Sequence, residues 1–301
     1  MAKEKKEEPM ETGIFYAILS LASTAVNDFV FKLFARKKRP QGFFIAIIGI
    51  FWFLFLLVFQ PVPMDIQVSS TLLCGCLSGV FSAGGNILLI ASMRVLPAGS
   101  CSTIYRLNLV PVILGAWLFL DEKPSPFQWA GAFCAFCAVI LFSMAGREGN
   151  GMGSGKRGKV VLRAFIMVIA AMLMRAGMGL SYRYGFQHGA CREWVTLINS
   201  LFWVAGGLLY AFFVERTCRL QALKAHHLMQ YGIISGVLVA LAVLFMALSL
   251  QFGAASVVLP IAQMSFLATW LLGRIFLREK FSLFILLALL CGTAAVLLLS
   301  L

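Results

Sequence analysis

The sequence predicts an all-α integral membrane protein with ten transmembrane helices in two inverted five-helix repeats. Three observations carry that expectation. First, 61% of the 301 residues are hydrophobic and only 12% are charged, whereas a soluble domain carries about 25% charged residues. Second, apolar runs recur down the chain. Even the shorter runs supply about 18–20 residues, enough at about 1.5 Å per residue to cross a hydrocarbon core of about 30 Å. Third, at a constant offset of 157 positions, residues 75–144 align on residues 232–301 without a gap, and 20 of the 70 pairs are identical. A shared apolar background alone would give roughly 7.

The first five runs fall at 13–34, 43–60, 69–93, 100–120 and 127–144. The run at 13–34 ends with Asn27, Asp28 and Lys32, and a basic turn follows it. The run at 43–60 is aromatic and uncharged, and Pro61 and Pro63 stop it. The third run holds Gly75, Gly79, Gly84 and Gly85, small residues that let membrane helices approach closely. Asn86 follows them, where the sequence allows either close packing or an opening in the helix. The fourth run contains Arg106, Asn108 and Pro111, and the proline should bend it. Residues 146–159 form a Gly-rich linker that lacks GxxxxGK[ST] and any βαβ context, so it is no phosphate loop.

The other five runs fall at 160–184, 194–214, 231–252, 255–277 and 281–301. The expected domains are a tail at 1–12, a first repeat at 13–145, the linker, and a second repeat at 160–301. Residues 215–230 read as a polar connection with a short surface helix. Five spans before the linker and five after force the second copy to enter from the opposite face, a recurring build for secondary transporters.

Several function classes are disfavoured. The net charge of +13 is spread over loops between spans, not gathered in a nucleic-acid-reading domain. The apolar run after the tail continues into further spans without a small-residue cleavage site, which argues against a signal peptide. Seven of the eight cysteines, apart from Cys218, sit in or beside apolar runs and read as small buried hydrophobes, including the Cys134-x-x-Cys137 pair. Neither a catalytic triad nor HExxH is present, and no metal or cofactor is implied.

The two hairpins around the duplicated turn carry a family resemblance. Glu122-Lys123-x-Ser125-x-Phe127 returns as Glu279-Lys280-x-Ser282-x-Phe284. Pro111, Leu118-Phe119-Leu120, Glu122 and Gly131 match the pattern of the drug/metabolite transporter superfamily, and the chain resembles its EamA-like members. In the second half the matching positions are Phe276-Leu277, Glu279 and Gly292. Ala268 stands where the first half has Pro111, with Pro260 earlier in the same run. The resemblance implies a ten-span transporter with Glu122 and Glu279 as structural turn acids. It also implies cytoplasmic termini, whereas the excess of Lys and Arg on the linker face places both termini outside.

Ionisable residues inside spans are costly and mark cavities or partners. Arg106 therefore has two open readings: a guanidinium fork for a carboxylate or phosphate, or a snorkelling or Asp28-paired structural residue. Its repeat counterpart is Gln263. Arg175 lies mid-span and reads as cavity lining, with a structural ion pair as the alternative. Asn108, Asn86, Ser265, Asn199, Tyr182 and Trp270 complete the candidate substrate-binding set, and Asp28 and Glu193 are candidates for proton coupling. The expected cargo is a small polar or amphipathic metabolite, such as an amino acid or organic anion. It would cross the plasma or inner membrane by alternating access, with no ATP motif to drive it. The expected partners are that cargo, the bilayer and a coupling proton, with no nucleic acid, in a monomer or homodimer. A channel or a non-transporting scaffold or receptor is the alternative.

Overall fold

Proline and glycine punctuation sets the helices. The computed structural model describes residues 4–37, 39–64, 66–120, 124–150, 156–216, 227–253, 255–279 and 282–301. In chain order the helices are α1 (Glu4–Arg36), α2 (Gln41–Phe59), α3 (Val68–Met93), α4 (Ala98–Arg106), α5 (Leu109–Leu120), α6 (Pro126–Asn150), α7 (Lys156–Gln187), α8 (Arg192–Leu209), α9 (Leu228–Phe252), α10 (Ala255–Gln263), α11 (Ser265–Leu277) and α12 (Leu283–Leu299). A π-helical turn, Tyr210–Val214, extends α8. No strand occurs among the described residues. Eight helical segments are long and apolar enough to cross a membrane, so the chain is an all-helical, multi-pass membrane protein.

Several boundaries differ from the sequence reading. α1 begins at Glu4, so most of the expected tail is helical, as its Glu and Lys residues favour. α6 runs to Asn150 and α7 starts at Lys156, which leaves less linker than residues 146–159. The expected surface helix falls largely on residues 217–226, outside the described residues. α3 passes unbroken through Gly84, Gly85 and Asn86. The opening considered at Asn86 is therefore absent. A Cβ at Gly84 would stand 2.4 Å from Met174 of α7, so these glycines serve close helix packing.

The fourth and ninth runs are each two helices, and they break at matched positions. Leu107 has φ −72° and ψ 7°, and Met264, 157 positions later, has φ −70° and ψ 5°. Pro111 has no N–H for the Leu107 carbonyl, which accepts from Val110 N at 3.1 Å instead. At the second break Leu267 N reaches Met264 O at 3.0 Å, with Ala268 in the proline's place. There Pro260 lies inside α10, before the break.

Lipid gives helices little hydrophobic reason to associate, so close van der Waals packing at small residues carries much of the assembly. A Cβ at Gly75 or Gly79 of α3 would fall 2.8 Å from Ile198 or 2.7 Å from Phe202 of α8. At Gly232 or Gly236 of α9 it would fall 2.5 Å from Ile47 or 2.6 Å from Phe51 of α2. α3 also packs along α7, α9 along α1, and α6 along α12.

These contacts fix which ends share a face. Gly13 of α1 meets Gly253 after α9, and Trp194 of α8 donates its indole N–H to Pro63 O at 2.9 Å. This end, with the start of α1, is called the N face. The other end, the linker face, gathers the α1–α2, α3–α4 and α11–α12 turns.

Candidate functional site

The broken helices end against a cavity of about 480 Å³, within the size range of small-molecule sites. Its lining runs from Arg106 and Gln263, at the two breaks, to Phe186, Arg192 and Leu250 near the N face. Three guanidiniums (Arg106, Arg175, Arg192) and one carboxylate (Asp28) line it.

Arg106 is buried at the end of α4, and its Nη2 lies 3.6 Å from Asp28 Oδ2 of α1. The Ser102 hydroxyl, one turn earlier on α4, donates to the same oxygen at 2.6 Å. The paired reading of Arg106 is thus the one the side chains adopt. Its Nε has no hydrogen-bond partner among the described residues. Arg175 of α7 makes no ion pair among the described residues, and its Nη1 donates to Met178 Sδ at 3.5 Å. The Arg106 and Arg175 guanidinium carbons lie 5.9 and 5.8 Å from the centre of the same Tyr105 ring, which places two cations around one aromatic ring.

A polar network holds this wall. Asn86 Nδ2 donates to Ser82 O at 2.9 Å and to the Tyr105 hydroxyl at 3.3 Å. Trp203 Nε1 donates to Ser82 Oγ at 2.9 Å, and the Trp203 ring meets Trp52 edge-on at 5.7 Å. Asn199 Nδ2 donates to the Tyr182 hydroxyl, while Ser78 Oγ donates to Asn199 Oδ1 at 2.8 Å. Asn199 therefore positions Tyr182 from behind. The opposite wall is apolar: α9 contributes Val239, Ala242, Val243, Met246, Ala247 and Leu250.

The structure thus brings Asp28, Asn86, Arg106, Arg175, Tyr182 and Gln263 around one space. It leaves Asn108, Ser265, Trp270 and Glu193 outside that lining. Asn108 and Ser265 are buried at the two breaks, where their Oδ1 and Oγ lack partners among the described residues. Trp270 packs on α4, where a Cβ at Gly99 would stand 2.8 Å from it. Glu193 accepts from the Cys191 thiol at 3.1 Å in the turn before α8. Glu279 Oε1 accepts from Ala98 N at 2.8 Å, so it caps α4 across the chain, in the favourable sense for a helix N-terminus. Glu122 lies outside the described residues. Thr24, Ser102, Arg192 and the α9 wall were not singled out by sequence. Single hydroxyls and valines give no signal there, whereas Arg192 at a span start was a visible one.

Toward the linker face the cavity meets a layer of cross-links. Lys32 Nζ donates to Met93 O at 2.8 Å and to Leu96 O, tying α1 to the end of α3. The Arg39 guanidinium lies 4.4 Å from the Tyr231 ring centre. Arg94 pairs with Glu215 at 3.7 Å, and the Glu215 carboxylate accepts from Gln41 N and Gly42 N at the start of α2.

Residues 11–144 match the sequence profile of the EamA-like transporter family. No curated protein matches the chain. A solved structure titled only "Crystal structure of protein" aligns over 96% of this chain and 97% of its own, with a TM-score of 0.59 at 15% identity. At that identity the likeness is one of fold.

Proposed function

We propose, from the match of residues 11–144 to the EamA-like transporter family, that the chain is a secondary transporter working by alternating access. Its cargo is a small amphipathic metabolite with an anionic group, such as an organic anion or amino acid, and its site is the plasma or inner membrane. The observation that carries this reading is the cavity with Arg175 on one wall and α9 valines on the other. A guanidinium without a carboxylate in a low-dielectric setting favours an anion. The apolar wall suits a hydrocarbon portion of the cargo.

Ten spans in two inverted repeats remain the architecture we infer. Support comes from the breaks at Leu107 and Met264 and from the reciprocal glycine contacts, Gly75 on Ile198 and Gly232 on Ile47. In this reading residues 13–145 and 160–301 are the repeats, acting as a monomer or homodimer. Rocking of the halves would release the linker-face links between them, Arg39 on Tyr231 and Arg94 on Glu215, and bring the N-face ends together.

The cross-linked layer favours a carrier over a channel, which needs a pathway open to both faces. Counterflow in proteoliposomes discriminates. Saturable uptake of a labelled anion, accelerated by the same unlabelled anion inside, is the expected result. Ion currents without counterflow would refute the carrier.

A further inference from the structure

We propose that Asp28 is a proton-binding latch on Arg106, so that one proton and one cargo anion are carried together. This rests on the anion-transport reading above and deepens it. The geometry is that of a replaceable counter-ion. Asp28 Oδ2 receives both the Arg106 guanidinium, at 3.6 Å, and the Ser102 hydroxyl, at 2.6 Å. Arg106 keeps an unpartnered Nε and shares the Tyr105 ring with Arg175. An anion lodged between the two arginines would stand beside the Asp28 carboxylate, and two negative charges so close in a buried site repel strongly.

Protonation removes that conflict. A proton from water binds an Asp28 oxygen, the Asp28–Arg106 attraction is lost, and the cargo anion takes Arg106 together with Arg175. The bound pair adds no net charge. When the cargo leaves on the other side, Arg106 recovers Asp28 and the proton departs. Linkage makes the effect reciprocal: the proton tightens anion binding and the anion tightens proton binding by the same factor.

The surroundings of Asp28 supply no competing acid. On α1, Lys32 lies one turn on, and its ammonium is held by Met93 and Leu96 carbonyls. α4 presents Arg106 and Tyr105 with the Ser102 hydroxyl and the buried Cys101 thiol, and α7 presents Arg175 and Tyr182. Glu279, after α11, is committed to Ala98 N. α3, α9 and α10 carry no carboxylate and no cationic side chain, their ionisable groups being Cys74, Cys76 and Tyr231, and α11 carries Arg274, which donates to Glu279 O.

Benzenesulfonate is a suitable probe because it is amphipathic, stays ionised and does not cross lipid as a neutral acid. Proteoliposomes holding the full chain are given labelled benzenesulfonate with the outside one pH unit more acid than the inside. Wild type should accumulate it about tenfold, the limit for one proton per anion. Asp28→Asn keeps an acceptor for Ser102 but cannot ionise. It should reach no accumulation, and its exchange should not vary with pH. Proton-driven accumulation by Asp28→Asn equal to wild type would overturn the proposal.

An infrared difference spectrum of the detergent-solubilised chain, acid minus alkaline, gives a readout without transport. Wild type should show a protonated-carboxyl band that Asp28→Asn lacks, and benzenesulfonate should strengthen that band at a given acid pH. A band identical in both proteins would sink the latch alone. A wild type that moves no organic anion at any pH would instead count against the anion-transport reading.

Discussion

The break between α4 and α5 and the break between α10 and α11 share a backbone and differ in chemistry. Their hinge residues have φ and ψ values within a few degrees of each other. Yet Arg106 faces Gln263 in the alignment of the halves, and Asn86 and Ser82 correspond to Val243 and Val239. All six line the cavity. The broken helix recurs at matched positions, where backbone hydrogen bonds close each break. The side chains at the corresponding positions differ, polar on one wall and apolar on the other. In the proposed transporter a cargo bound between them would take one orientation, charge toward α4 and α7 and hydrocarbon toward α9.

The largest effect should come from breaking the polar wall's ion pair. Arg106→Met leaves a buried carboxylate with Ser102 alone, and removing one partner of a buried pair costs about 3–5 kcal/mol. Thermal unfolding in detergent should show that loss, and Asp28→Asn in the same chain should restore most of it. A single mutant as stable as wild type would mean the pair is idle. Next comes the close helix contact beneath the site. Gly42→Val puts a side chain where a Cβ already lies 2.4 Å from Ala211 N of the π turn, and overpacking of this kind costs about 1–3 kcal/mol.

Smaller effects should sharpen the contrast between the walls. Val243→Asn places on α9 the residue type that Asn86 supplies on α3. It should move selectivity toward more polar anions by about tenfold, the scale of one to two kcal/mol, as read from competition in uptake assays. An unchanged preference would remove α9 from the selectivity account. Glu279→Gln weakens the charged cap on Ala98 N and should cost about 0.5–1 kcal/mol, read from the same unfolding measurement. An effect as large as that of Arg106→Met would show that this cap, and not the ion pair, holds α4.

Much of this was legible in the chain itself. The 157-position offset located both hairpins, and Pro111 announced the first break. Asp28 and Arg106 were visible because charge is scarce in spans, so their pairing could be stated as one of two readings. The second break was less legible, because Ala268 replaces the proline and Pro260 lies before the break. Asn86 invited an opening that α3 does not make, since Gly84 and Gly85 are used for contact with α7. Trp270 and Ser265 lie on α11 and Asn108 at the first break, outside the cavity lining, and run composition does not tell a cavity-lining position from its neighbours. The α9 wall was silent for the same reason: a valine on a cavity and a valine on lipid read alike. Glu279 looked like a local turn acid, yet its partner, Ala98, lies in the other half.

In the proposed transporter Arg175 receives the anionic end of the cargo. Saturable benzenesulfonate counterflow, compared between wild type and Arg175→Gln in proteoliposomes, tests it most directly. The substitution removes a charged hydrogen bond, worth about 1.5–3 kcal/mol. Half-saturation should rise at least about tenfold in Arg175→Gln, while the unfolding temperature stays close to that of wild type. Equal half-saturation in the two proteins would contradict it.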